Sequence, residues 1–434
     1  MQIGIIGTGY VGLVTAVGLA ELGNKVIGTD IAPDKIEKAS QGIAHIYEPG
    51  LEDLLKENLK KGNLAFEYDL DKTIQSSDVL FICVSTPQRE DGSADMTYVE
   101  NVSRRIAVNL NKYKLVVEKS TVPVKTSTWV KRTIELYKKG DTEFDVASNP
   151  EFLREGSAVE DFMQPDRIVV GVESERARDM MIEIYKVFKD RILITNIDTA
   201  ELIKHASNSF LAMKISYTNL MADLCERTQA DIESVAKGMG LDERIGNRFL
   251  KAGVGYGGSC FPKDVRALIK IGEDLGVNMD LLRDVDKINM GRVGSILEKL
   301  KKALWILKDK KIAVLGLAFK PETDDIRNAP SIPIIQALLE EGAQITLYDP
   351  QAVENMKGVI EENHPSVEYA ASPQEALKGA NAALLVTEWD EFKTMDLKKA
   401  RELMDNPILI DGRNVFNPDE ARELGFEYYS IGRK

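Results

Sequence analysis

The stretch QIGIIGTGYVGLVTAVGLAELG, residues 2–23, decides the fold. Its first five residues form a short apolar run suited to a buried strand, and from Tyr10 onward apolar residues recur at helical spacing. Between the two lies Gly7-x-Gly9-x-x-Gly12, and a second strand, KVIGTD, ends at Asp30, 18 residues beyond Gly12. The glycines permit a tight turn and a close backbone approach to a pyrophosphate, which then rests on the helix N-terminus. Asp30 is placed to bond the adenosine ribose hydroxyls and to repel a 2′-phosphate, which favours NAD over NADP. Strand, fingerprint, helix, strand and acid in this order predict a dinucleotide-binding, Rossmann-like α/β domain.

Further strand-then-loop units follow. DVLFICVSTP ends near Thr86, KLVVEKSTVPV near Thr121, and FDVASNPEFLREG carries Glu151; DRIVVG adds another strand. Ligands of open parallel sheets sit beyond the carboxyl ends of the strands, which makes Thr86, Thr121 and Glu151 candidate site residues. The competing reading of each is a turn or a helix cap. Cys83 and Cys225 fall in apolar segments and read as packing.

From Thr199 to Lys237 there is no glycine or proline, and apolar residues keep helical spacing, so one helix is expected over this range. Lys204 and Asn208 lie four apart on one of its faces, as a solvated polar stripe or as a site. A shorter helical region is expected from Asp264 to Leu307. KKIAVLGLAFK, residues 310–320, then restarts the opening pattern: strand, glycine turn, the helix SIPIIQALLEEG and the strand QITLYDP ending at Asp349. AALLVTEWDEF mirrors VLFICVSTP of the first half, so a diverged second copy of the fold is expected. Lys320, Arg327 and Arg413 sit on its loops and strand ends, as scaffold or as a second, phosphorylated-ligand site.

A chain of 434 residues exceeds one core. Its net charge of −13 argues against a general nucleic-acid or membrane-surface binder. No basic leader with a cleavage site precedes the first strand, and no apolar run reaches membrane-spanning length. The three cysteines and three histidines are scattered, which fits a reducing cytoplasm and gives no pattern for a disulfide framework or a metal site.

One cysteine is differently placed. In GVGYGGSCFPKD, residues 253–264, Cys260 follows a glycine-rich loop and precedes a helix in which Pro262 suits the first turn. A helix N-terminus and the adjacent Lys263 both favour the thiolate. An NAD fold, a reactive thiol and a second-ligand domain together suit oxidation of an alcohol through an aldehyde to an acid. The thiolate adds to the aldehyde, and the thiohemiacetal can give hydride again; the resulting thioester is then hydrolysed.

GTGYVGLV, STVP, NPEFLREG, LIKHASNSFLAMKISY, ERIGNRFLKAGVGYGGSCFPKD and GLAFKPETDDIRNAP together resemble the UDP-glucose 6-dehydrogenase family along the whole chain. The resemblance implies NAD-dependent four-electron oxidation of UDP-glucose to UDP-glucuronate, with Cys260 as nucleophile. It implies that Lys204 and Asn208 stabilise an oxyanion, that Asp264 and Thr121 order water and relay protons, and that Glu151 assists thioester hydrolysis. It places Gly7, Gly9, Tyr10, Val11, Gly12, Asp30, Lys35, Thr86, Thr121, Glu155, Lys263 and Arg327 around NAD. It places the nucleotide sugar against Glu151, Phe152, Leu153, Arg154 and Glu155, against Lys204 and Asn208, and against Phe249, Leu250, Lys251, Ala252, Gly253 and Gly257, with Lys320 and Arg413. Arg244 would reach a neighbouring subunit's site, so a cytoplasmic homodimer is expected. The implied domains are residues 1–198 for NAD, 199–307 for a helical dimerisation region and 308–434 for the UDP-sugar. A GDP-mannose 6-dehydrogenase, a dehydrogenase of 2-acetamido sugar nucleotides and a non-catalytic dinucleotide sensor stay open as alternatives.

Overall fold

The computed structural model describes residues 1–89 and 91–433. The chain packs as two compact units. The first comprises Met1–Ser207 with Lys270–Gly276, and the second Asn208–Ile269 with the chain from Val277 onward.

The first unit is built on eight strands: β1 Gln2–Ile6, β2 Lys25–Thr29, β3 Leu64–Phe66, β4 Val79–Ile82, β5 Lys114–Glu118, β6 Phe144–Ser148, β7 Ile168–Gly171 and β8 Ile192–Thr195. They lie in the order β3-β2-β1-β4-β5-β6-β7-β8. Neighbours run parallel except β6 and β7, which meet antiparallel at Ser148 and Gly171. Two apolar clusters pack against the sheet, one including Ile3, Ile5, Val79 and Phe81, the other including Ile6, Leu80, Ile82 and Val116. Alternate residues of the same strands thus enter different clusters. That is why β4 and β5 are buried throughout, and why β4 and the Leu115–Val117 centre of β5 read in the sequence as apolar runs.

The second unit holds β9 Lys311–Leu315, β10 Gln344–Tyr348, β11 Val367–Tyr369, β12 Ala382–Leu385, β13 Ile408–Asp411 and β14 Glu427–Tyr429, ordered β11-β10-β9-β12-β13-β14. Counted from its own first strand this order matches β3-β2-β1-β4-β5-β6 of the first unit, so the duplicated α/β pattern is real. The sequence reading did not single out β3, β8, β11 and β14, short strands of three or four residues.

The single helix expected over residues 199–237 is two. A long helix runs Ile197–Thr228, the chain leaves it through Gln229 at φ 68°, and a new helix spans Ile232–Gly240. Two local forces beat the uninterrupted pattern. The Asp231 carboxylate caps the second helix by accepting from the Ser234 amide at 2.8 Å, and the Ile232 amide donates to Gly432 O at 2.9 Å. The expected region 264–307 is likewise two helices, Phe261–Asp274 and Asp280–Leu304.

Candidate active site

The glycines of the first turn divide the work. Gly7 has φ 93°, and a Cβ there would lie 2.7 Å from Cys83 O. A Cβ on Gly12 would strike Gly7 O at 1.8 Å, so only glycine lets the Tyr10–Glu21 helix start so close to the strand. Gly9 has nothing within 4 Å and is the open position where a pyrophosphate can approach the backbone. Asp30 accepts from the Thr8 amide at 2.7 Å and its hydroxyl at 3.1 Å through one oxygen, and from the Ala32 amide at 3.0 Å through the other. Lys35 lies 3.9 Å from it. Val11 is in the helix's first turn. This cradle fits a dinucleotide.

Two residues that the sequence reading did not single out complete it. His45 Nε2 contacts Thr8 O at 2.7 Å, and burial lowers its pKa. Buried Glu48 accepts from the amides of Gly156 and Ala158 at 2.6 Å each, and also from Tyr10 Oη, tying the fingerprint to the loop after β6.

The same unit buries an ion pair. Lys204 Nζ lies 2.7 Å from Glu151 Oε1, and both side chains are about 4% exposed or less. Glu151 Oε2 accepts from the Leu153 amide at 2.7 Å. The centre of the Phe152 ring lies 3.8 Å from the Arg167 guanidinium and 5.5 Å from the Lys204 ammonium. Arg154 is bound to Asp161 instead, and Glu155 is buried. Thr86 Oγ1 donates to Thr121 O at 2.9 Å. The long helix fixes these loops with a face at i, i+3, i+4: Glu201 accepts from the Lys125 and Ser127 amides at 2.7 and 2.8 Å, Lys204 holds Glu151, and His205 contacts Val122 O at 2.8 Å. The solvated-stripe reading fails, since Lys204 is 3% and Asn208 7% exposed.

In the second unit Cys260 immediately precedes the Phe261–Asp274 helix, and its carbonyl accepts the Asp264 amide at 2.8 Å. Asp264 is fully buried. One of its oxygens accepts from Asn208 Nδ2 at 2.6 Å and the other from Lys263 Nζ at 2.7 Å. Amide, carboxylate and ammonium therefore form one cluster in the first turn of the helix that Cys260 immediately precedes. Cys83 and Cys225 are buried, as expected of packing residues, and burial pushes both thiols up.

The glycine loop before Cys260 lies against the second sheet. Gly253 donates to Asn219 Oδ1 at 2.8 Å, and a Cβ on Gly257 would meet Asn328 O at 2.4 Å. Arg413 bridges three loops through the carbonyls of Gly255, Phe319 and Val386, at 3.1, 3.3 and 2.7 Å. Leu250 and Ala252 are buried, Lys251 is exposed, and Phe249, at φ 64°, puts its ring 6.2 Å from Phe261. Lys320 lies over Phe319 at 5.3 Å. Arg327 pairs with Asp325 and Arg244 with Asp242, both on the surface.

Asp349, the counterpart of Asp30, is spent internally. One oxygen accepts from the Leu317 and Ala318 amides and from Trp389 Nε1, at 2.7, 3.0 and 3.0 Å. With Trp389 on it and 3% exposure, it offers nothing to a ribose, which separates this turn from the dinucleotide cradle. Among the described residues no group of three or more His, Cys, Asp or Glu could hold a metal, and no helix is long and apolar enough to cross a membrane.

Two doubly wound units, a dinucleotide cradle in one and a helix-start thiol in the other, define a nucleotide-dependent dehydrogenase. The chain belongs to the UDP-glucose/GDP-mannose dehydrogenase family: residues 1–189 match its NAD binding domain, 198–291 its central domain and 313–418 its UDP binding domain. It is an NAD-dependent oxidoreductase. It is 44% identical over 432 residues to the UDP-glucose 6-dehydrogenase TuaD of Bacillus subtilis, covering 100% of this chain and 93% of that protein. It is 45% identical over 440 residues to the UDP-glucose 6-dehydrogenase of Rhizobium meliloti, covering 100% of both. The structure of a UDP-glucose dehydrogenase from the archaeon Pyrobaculum islandicum superposes with a TM-score of 0.93 at 40% identity, covering 100% of this chain and 98% of that one.

Proposed function

We propose that this enzyme oxidises UDP-glucose to UDP-glucuronate through a covalent intermediate on Cys260, without releasing the aldehyde. The observation that carries the reading is the buried Asp264, held by Asn208 and Lys263 one turn from the thiol. NAD⁺, which the Gly7–Gly12 turn and Asp30 would hold, would supply the hydride acceptor. First the C6 alcohol loses hydride and a proton. The Cys260 sulfur then bonds to the aldehyde carbon, and the oxygen that becomes negative is met by cationic Lys204 and the Asn208 amide. After the second hydride leaves, Glu151 takes a proton from water as the water attacks the thioester, releasing the carboxylate and returning the thiol. One alcohol, one water and two NAD⁺ thus give one carboxylate, two NADH and three protons. Thr121 and Asp264 order the water, and Lys320 with the Arg413-braced loops receives the uridine nucleotide. The functional domains are residues 1–198, 199–307 and 308–434.

NADH formed per nucleotide sugar tests the assignment. UDP-glucose should give two, with UDP-galactose and GDP-mannose close to none, and NADP⁺ should not replace NAD⁺ because Asp30 faces its 2′-phosphate. Two NADH from GDP-mannose and none from UDP-glucose would mean the rival member of the family. No NADH from any sugar would mean a sensor.

The central helices supply a face for a second copy. Phe210, Tyr217 and Leu224 repeat every seven residues along the long helix and are 57%, 48% and 54% exposed. Beside them a groove of about 930 Å³ runs along the Asp280–Leu304 helix, lined by Leu220, Leu281 and Ile288 among others. Buried Arg292 lines it too, with Nε and Nη2 lacking partners among the described residues. A homodimer would cover the stripe and supply acceptors to Arg292. Tyr217→Glu should convert a dimer in sedimentation equilibrium to a monomer. A wild-type chain that sediments as a fully active monomer would refute the dimer.

A further inference from the structure

Two strands of the first sheet end where they meet: Ser148 of β6 pairs antiparallel with Gly171 of β7. The β7 strand therefore begins beyond the carboxyl edge of β1 to β6, the edge at which ligands of such sheets bind. Arg167 immediately precedes it. Four residues on from Ser148 and four back from Gly171, Phe152 and Arg167 are brought opposite each other. The guanidinium lies over the Phe152 ring, 3.8 Å from its centre. The strand reversal thus delivers a cation to the loop that carries Glu151.

Stacking on a ring uses the charge of a guanidinium and none of its N–H donors. Arg167 is partly buried, and among the described residues it makes no hydrogen bond and no close ion pair. The acids nearest to it are engaged elsewhere or face solvent. Asp161 accepts from Arg154, Glu151 from Lys204 and the Leu153 amide, and Asp166 is exposed. Arginine is charged at every working pH, so a planar anion would find a free fork of donors here. The dinucleotide pyrophosphate is too far away to be that anion. In the sheet β7 is four strands from β1, about 19 Å at a spacing of about 4.8 Å. The uridine phosphates are received in the second unit. One anion is left, and the reaction makes it. The sugar arrives with a neutral alcohol and leaves with a carboxylate, formed where Glu151 activates water. Once Glu151 has passed its proton to solvent, two carboxylates share a place whose lysine is already paired.

We propose that Arg167 binds the carboxylate of the product, the charge that the reaction creates and the substrate lacks. The inference rests on the substrate and the role of Glu151 given above. It makes Arg167 a specificity residue that favours the uronate over the alcohol. The enzyme then holds UDP-glucuronate more tightly than UDP-glucose, and the product competes with the substrate for one site.

Isothermal titration calorimetry without NAD⁺ reads the affinities of wild-type enzyme and variants for UDP-glucuronate, UDP-glucose and UDP. In Arg167→Gln the Kd of UDP-glucuronate should rise about tenfold, the loss of a charge-assisted pair, while UDP-glucose and UDP shift by less than about twofold. Arg167→Lys keeps the charge without the planar fork. It should lose about threefold on UDP-glucuronate alone, and it decides the matter if the glutamine variant does not fold. Equal weakening of all three ligands would make Arg167 a prop for the loop or a contact of the phosphates, and would overturn the inference. So would an unchanged Kd for UDP-glucuronate. If wild-type enzyme binds neither UDP-glucose nor UDP-glucuronate, the substrate reading fails and the inference falls with it.

Discussion

Cys260→Ala will bind NAD⁺ and UDP-glucose but lose the second oxidation by at least about a thousandfold, since that step has no hydride to give without a covalent adduct. Binding should survive because the dinucleotide cradle is in the other unit and the loop contacts of Gly253, Gly255 and Gly257 are made by backbone. The first oxidation needs no sulfur, so the reaction should halt at the aldehyde, with one NADH or less per sugar, and hydroxylamine should trap the aldehyde. Cys260→Ser should retain only slow turnover, because a hydroxyl is far less ionised at neutral pH and its ester is a poorer acyl donor than a thioester. Stopped-flow absorbance of NADH with excess NAD⁺ reads both. Two NADH per sugar from the alanine variant at near wild-type rate would make the thiol structural.

What the sequence could disclose depended on whether a signal was local. The turn at Gly7–Gly12 was legible because backbone conformation, close packing and an open approach demand glycine at three fixed spacings. The helix-start thiol was legible for the same reason, since Pro262 and the helix propensity of the next residues place Cys260 without knowledge of the tertiary fold. The end of the long helix was not. Nothing in Gln229-Ala230-Asp231 forbids a helix, and the break depends partly on Gly432 of the distant C-terminal segment. Glu48 is hidden for a related reason: its partners Tyr10, Gly156 and Ala158 lie 38, 108 and 110 residues away. Glu201 and His205 had a usable signal, being on one helix face with Lys204 and Asn208, and only half of that face was read. Arg413 illustrates a different limit. It lies just past the end of a strand, as expected, yet its nitrogens brace three loop carbonyls, so its observed work is structural.

Glu151→Gln should separate the two halves of the chemistry in the opposite sense from the cysteine variants. A glutamine is nearly isosteric and retains one carbonyl oxygen, but Glu151 uses two, one for Lys204 and one for the Leu153 amide. Lys204 is then left with a neutral partner in a site where it is 3% exposed. Removing one member of a buried pair outright costs roughly 3–5 kcal/mol, so the glutamine variant should melt lower by some part of that. Oxyanion stabilisation by the lysine charge remains, so aldehyde formation, thiolate addition and the second hydride transfer should proceed. What disappears is the proton acceptor for water, an effect of about 10² to 10⁴ on the hydrolytic step. The enzyme should therefore release a rapid burst of two NADH per active site and then nearly stop. Intact-protein mass spectrometry should find the chain heavier by the mass of the acyl group, with the adduct mapping to the peptide containing Cys260. A burst followed by unchanged steady turnover, with no adduct, would assign hydrolysis to another base and reduce the Glu151–Lys204 pair to a structural tie.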